Sequence, residues 1–283
     1  MEYVIGLIIG AILGLSGAGG IIAVPLMIIF LHLPVNEAMS LALGVVMLSA
    51  AIGVFSHYKS ILLVPALTLG FTGILTAPLG RSLAISIDNS LLLFGFFTIS
   101  MVIAIGMWLK SNSDTNDSFD ELGKSLVDVP SLSDFFNGNH HSNTTNNRVN
   151  QLIGSVVSVL KSSWLVLLIM LLYGLFVGCV SGLLGIGGGV FIIPFLRWYL
   201  YVNMKTALAT SLLVVVLVSS SGFLTALIAH QQIDLALLVK LAISAMVGIV
   251  LGQKLATFCK DHLLQKIFSV SLVLISLLAV SRA

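Results

Sequence analysis

Two stretches of this sequence are richer in backbone donors than in side chains. Gly14-Leu15-Ser16-Gly17-Ala18-Gly19-Gly20 runs into Ile21-Ile22-Ala23-Val24-Pro25, and Gly182-Leu183-Leu184-Gly185-Ile186-Gly187-Gly188-Gly189 runs into Val190-Phe191-Ile192-Ile193-Pro194. Glycine permits positive φ and lets backbone approach a ligand or another helix closely. Each cluster lies just before a helix whose first amides lack intrahelical partners, so both present donors and a partial positive charge. That is an arrangement for binding an anion. Close helix packing is the competing use of such glycines in membranes. Two copies at equivalent places, each followed by a proline, favour ligand binding. Candidate binding positions are therefore Gly17, Gly19, Gly20, Gly185, Gly187, Gly188 and Gly189.

Side chains near these clusters could complete a site. Ser16, Ser40, Thr210 and Ser211 supply hydroxyl donors without the desolvation cost of a charge, although such hydroxyls also bond back to their own helix. Arg81 could pair with an anion, but it follows Pro78-Leu79-Gly80 near an expected helix end, from which snorkelling to the interface is the simpler use. His57, His230, Glu37 and Asp234 are candidates for proton coupling, the histidines because imidazole changes charge near neutral pH. All four sit at expected helix ends, where an interfacial position explains them equally well. His140-His141 is too isolated for a metal site, and nothing calls for a cofactor. Gly14-Leu15-Ser16-Gly17 matches the Gly-x-Ser-Gly of rhomboid-like intramembrane proteases, but the second copy has Leu184 in place of the serine. Catalysis is therefore not expected.

The elements that must position these residues follow from composition. The chain has 283 residues, of which 58% are hydrophobic and 8% charged, and its mean hydropathy is +1.13. Soluble domains carry about 25% charged residues, so this composition cannot cover a surface facing water. An all-α, polytopic membrane protein is implied. Thirteen Lys+Arg against eleven Asp+Glu leave +2, without a basic arm, and nucleic acid is excluded as a partner. Cys179 and Cys259 stand in apolar surroundings and make no disulfide framework.

Apolar runs at Tyr3–Leu31, Ala38–Phe55, Leu62–Ala84, Leu91–Leu109, Trp164–Leu184, Val190–Leu200, Ala207–Ala229, Leu235–Phe258 and Leu263–Val280 suggest about 8–10 transmembrane segments. Residues 110–163 are instead rich in Asn, Ser, Asp and Thr and read as a polar linker, with short amphipathic helices as an option where Phe119, Leu122, Leu126 and Val129 recur. This divides the chain into a first transmembrane repeat at 1–109, the linker, and a second repeat at 164–283. The repeats align beyond the glycines. Asn36 to Leu43 falls against Lys205 to Leu212, Gly80-Arg81-Ser82-Leu83-Ala84 against Gly252-Gln253-Lys254-Leu255-Ala256, and His57 against His230.

Orientation follows from the positive-inside rule. Tyr3–Ser16 and Ile21–Leu31 would be roughly 21 and 17 Å long as helices, so they either cross once together or form a hairpin. A single crossing splits the cations almost evenly between the two sides. A hairpin gathers Lys59, Lys110, Lys124, Arg148, Lys161, Arg197, Lys205, Lys254, Lys260 and Lys266 on one side and leaves Arg81, Lys240 and Arg282 opposite. The hairpin puts both termini outside and the linker in the cytoplasm, and its odd number of passes makes the repeats inverted. Parity cannot distinguish a re-entrant hairpin from two full crossings.

The paired Gly-Leu-x-Gly-x-Gly-Gly elements, each followed by proline, an Ala-x-x-Thr-Ser-like helix start and a His-bearing loop resemble the TauE/SafE sulfite-exporter family. The resemblance covers both halves and leaves out the linker. It implies a secondary transporter in the inner membrane, exporting a small sulfur-containing anion such as sulfite, a sulfonate or thiosulfate at the expense of the proton gradient. Protons and membrane lipid are then partners, and a homodimer is an admissible assembly. An anion channel, or an importer of another small organic anion, is the alternative. The first half departs from the pattern in having one glycine fewer and Leu41-Ala42 where the second has Thr210-Ser211. Unequal polar contacts from the two halves are expected.

Overall fold

The structure is a computed structural model that describes residues 1–17, 19–87, 94–95, 98, 101–102, 164–200, 202–229 and 234–258. The linker, His230, the run at Leu263–Val280 and most of that at Leu91–Leu109 lie outside the described residues. Among the described residues all regular structure is helical. The first half contains α1 (Glu2–Ser16), α2 (Gly19–Leu31), α3 (Val35–Ser56), a 3-10 turn at Tyr58–Ser60 and α4 (Leu63–Ser86). The second contains α5 (Trp164–Leu184), α6 (Gly189–Trp198), α7 (Met204–Ile228) and α8 (Leu235–Phe258).

Five of these helices are long and apolar enough to cross a bilayer: α3, α4, α5, α7 and α8. Their outward faces are apolar too. Leu67, Phe71, Leu75, Leu79 and Leu83 form an exposed stripe along α4, and Val239, Ile243, Val247, Leu251 and Leu255 form one along α8. The two stripes coincide position for position under the repeat alignment. An exposed surface of this kind suits lipid rather than water. The chain is a multi-pass membrane protein.

Glycine turns divide the short elements. α1 stops at Gly17, whose φ of 69° is left-handed and whose N–H donates to Leu13 O at 2.8 Å. α5 stops the same way at Gly185, with φ 70° and its N–H on Ser181 O at 2.9 Å. After each stop the chain doubles back. Tyr173 stacks on Phe195 at 4.2 Å, Phe176 meets Phe191 edge-on at 6.3 Å, and Gly188 faces Val177, so α6 runs antiparallel to α5. Gly19 lies against Leu13 and Ile9, so α2 likewise returns along α1. The hairpins are unequal. α1 and α2, with 15 and 13 residues, reach about 22 and 20 Å, whereas the 21 residues of α5 reach about 31 Å and the 10 of α6 only about 15 Å.

Lipid is as apolar as the side chains it would replace, so packing, not water exclusion, must hold the helices together. Small residues allow it. Gly6, Gly10 and Gly14 of α1 lie on the backbone or side chains of Leu241, Ala245 and Ile249 of α8, and Gly174, Gly178 and Gly182 of α5 lie likewise on Leu69, Gly73 and Ala77 of α4. Residue numbers rise together in both pairs, so each is parallel. α3 and α7 form the central pair, in which Leu43 faces Gly222 and Gly53 faces Leu212. There the numbers run in opposite senses, so these two equivalent helices are antiparallel. Exchanging the halves turns each outer pair into the other and the central pair into itself.

Candidate functional site

The two glycine turns meet in the interior. Gly20 packs on the carbonyl of Ile186, and Gly189 on the carbonyl of Gly17, so the turn of each half rests on the backbone of the other. Neither approach leaves room for a Cβ. α2 and α6 therefore begin at the same central contact, with their amide ends directed into it.

Around the second turn two side-chain hydroxyls are unsatisfied. Gly188, at φ 82°, is the N-cap of α6, and Phe191 and Ile192 donate to its carbonyl at 3.0 and 3.2 Å. Ser181 on α5 and Ser219 on α7 flank this turn, both fully buried, and neither hydroxyl has a hydrogen-bond partner. A Cβ placed on Gly187 would lie 2.6 Å from Ser219 Oγ, and one on Gly188 would lie 3.6 Å from Ser181 Cβ. A buried hydroxyl without a partner costs roughly 1–3 kcal/mol, so two of them at one amide-rich turn mark a place suited to an acceptor from outside the protein.

The first turn is drier. Ser16 donates to Ile12 O at 2.7 Å, and Ser211, whose Oγ would be 3.2 Å from a Cβ on Gly17, donates to Leu208 O at 2.9 Å. Thr210 accepts the N–H of Leu62 at 3.1 Å.

Two further polar places lie near opposite ends of α3. At its start, Arg81 from α4 is fully buried and donates to Asn36 O at 2.7 Å and Ser40 Oγ at 2.6 Å, with Met39 Sδ 3.8 Å away. At its other end, the start of α7 and the end of α8 border a cavity of about 240 Å³, lined by Gly14, His57, Ser60, Lys205, Leu208, Ala209, Leu212, Gln253 and Ala256. Gln253 donates to Gly53 O at 3.1 Å, but its Oε1, like Nδ1 of His57, is buried without a partner.

A family model described as sulfite exporter TauE/SafE matches residues 3–279 of the chain. The chain belongs to the TauE/SafE family. It is 26% identical over 276 residues to a protein of Methanocaldococcus jannaschii named a "probable membrane transporter protein", an alignment covering 89% of this chain and 86% of that one. No solved structure matches.

Within this TauE/SafE chain the anticipated residues separate into groups. Gly17, Gly19, Gly20 and Gly185 to Gly189 come together at the central contact, with Ser16 and Ser211 beside them. Arg81 and Ser40 form their own cluster. Its full burial departs from the snorkelling expected of Arg81, because α4 continues to Ser86 and leaves Arg81 more than a turn inside the helix. His57 lines the cavity. Asp234 caps α8, accepting from Ala236 N at 2.9 Å and Leu237 N at 3.2 Å, and Glu37 lies half-buried in the first turn of α3. Five polar residues of these places were not singled out from sequence as site residues: Ser60, Ser181, Ser219, Lys205 and Gln253. A signal existed for Ser181, which stands one helical turn before Gly185, and for Gln253, which aligns with Arg81.

Proposed function

We propose that this protein is a secondary transporter that moves a small sulfur-containing anion, of the sulfite, sulfonate or thiosulfate class, across the inner membrane, exporting it by coupling to the proton gradient. The observation that carries this reading is the second glycine turn, where the free amide end of α6 and the partnerless hydroxyls of Ser181 and Ser219 converge without a charged side chain. Such donors hold a small oxyanion from several directions yet release it, because neutral dipoles bind less tightly than a buried cation would. The first turn, through Gly17, Gly19, Gly20, Ser16 and Ser211, completes the other wall.

The antiparallel pairing of equivalent helices α3 and α7 supports inverted repeats, the architecture in which alternating access is a rocking of one half against the other. With the termini outside, the cavity beside His57 faces the cytoplasm and Arg81 the exterior. His57 is then the group best placed to exchange a proton on the cytoplasmic side. Glu37, near Arg81, could serve on the other, while Asp234 is occupied in capping.

Flux of labelled sulfite from liposomes containing the purified protein tests this. Uptake or efflux against the sulfite gradient, driven by an imposed pH difference, is expected, and Ser219→Ala together with Ser181→Ala should weaken binding at least tenfold, the cost of a lost bond to a charged ligand being about 1.5–3 kcal/mol. Flux that only ever runs down the anion gradient would instead make the protein a channel. Unchanged affinity in the double variant would remove the glycine turn from the site.

A further inference from the structure

The cavity between α3, α7 and α8 is separate from the glycine turns, and its chemistry is more specific. Leu208 divides the two, lining the cavity on one side and lying against Gly17 on the other. Lys205, exposed in the first turn of α7, adds a positive charge where the helix already presents its positive end. Ser60 adds a hydroxyl. These groups attract an anion. Gln253 is different. Only 4% exposed, it donates one amide proton to Gly53 O and leaves Oε1, which can only accept, without a partner. A bare oxyanion would be repelled by that oxygen, whereas one that retains a proton would satisfy it.

We infer that this cavity is a second binding site, selective for a singly charged oxyanion that still carries a proton, with hydrogensulfite as the member of the class taken by a sulfite transporter. Lys205, Ser60 and the end of α7 hold the negative oxygens, and Gln253 Oε1 accepts the ligand's proton-bearing donor without removing it. The site selects the protonation state before the anion passes Leu208 to the glycine turns. The matching place in the other half contains the donor Arg81 in the position of Gln253. This inference rests on the transport reading for its choice of ligand.

Calorimetry on the purified protein tests it, in mildly acidic buffer where sulfite carries one proton, with methanesulfonate as a probe of the same charge but no ionisable proton. The parent protein should bind hydrogensulfite about tenfold more tightly than methanesulfonate. Gln253→Met should erase that preference by weakening hydrogensulfite alone, and Lys205→Met should weaken both anions at least tenfold. Lys205 is exposed, so its variant reports even if loss of the Gln253–Gly53 tie lowers the stability of the other, which a melting curve on the same samples reveals. Equal affinity for the two anions in the parent, or unchanged affinity in Lys205→Met, overturns the inference while leaving sulfite transport intact. Failure of the parent protein to bind or move any sulfur anion would overturn the transport reading instead.

Discussion

In the first half Arg81 fills the space between α4 and the start of α3, whereas the equivalent space between α8 and the start of α7 is lined by Gln253 and left hollow. The frames are the same: α3 and α7 both begin at an uncapped turn, and Ser40 and Ala209 occupy aligned positions. What differs is side-chain length and the number of donors. Arginine spans the gap and bonds to both a carbonyl and a hydroxyl, while glutamine, tied to Gly53, leaves a volume of about 240 Å³. Two related places can thus be closed or open according to the side chain that enters them.

Removing the plug should have the largest effect. Arg81→Ala loses two charge-assisted hydrogen bonds and leaves a hole, and the combined cost should be about 3–5 kcal/mol, read as a melting-temperature drop in detergent. Arg81→Gln, which copies the second half, should cost less and open a matching cavity on the first-half side. If Arg81→Ala melts with the parent protein, the guanidinium is not what closes this place, and the contrast with Gln253 loses its meaning.

The central contact offers a test of how equivalent the halves are. Gly20→Ala drives a Cβ into the carbonyl of Ile186, and Gly189→Ala drives one into that of Gly17. Overpacking of this kind costs typically 1–3 kcal/mol, and the two substitutions should cost similar amounts. A Gly222→Ala control, whose Cβ would meet only the flexible end of Leu43 at 3.2 Å, should be tolerated. A large effect in one turn and none in the other would show that only one of them bears on its partner.

Much of this arrangement was legible in the sequence, for identifiable reasons. The helical, membrane-spanning character follows from apolar length, and the turns at Gly17 and Gly185 follow from glycine's freedom at positive φ. The repeat alignment also put Gln253 opposite Arg81 before any geometry was available. The burial of Arg81 was not legible, because composition near a helix end cannot say whether the helix stops there. Ser181 and Ser219 were hidden for another reason: a serine in an apolar helix ordinarily bonds back to its own carbonyls, as Ser49 and Ser244 do here. Only the structure reveals the two that do not.

The smallest effect separates the two hairpins. In the second, Tyr173 bonds through its hydroxyl to Phe191 O at 2.8 Å and stacks on Phe195, which stacks in turn on Tyr199 at 5.2 Å. The aligned position in the first is Ile5, which makes no such tie. Tyr173→Phe keeps the ring and the stack and removes the hydroxyl alone, so its cost isolates one hydrogen bond, about 0.5–1.5 kcal/mol. The carbonyl it served is left in an apolar setting, which places the expectation toward the upper part of that range. Anion affinity should stay within about twofold, because the bond lies on the flank of α6 and the donors are at its start. A melting curve and a sulfite titration on the same sample decide the matter: an unchanged melting temperature would show that stacking alone holds α6 to α5, and a large loss of affinity would show that this bond also sets the position of the glycine turn.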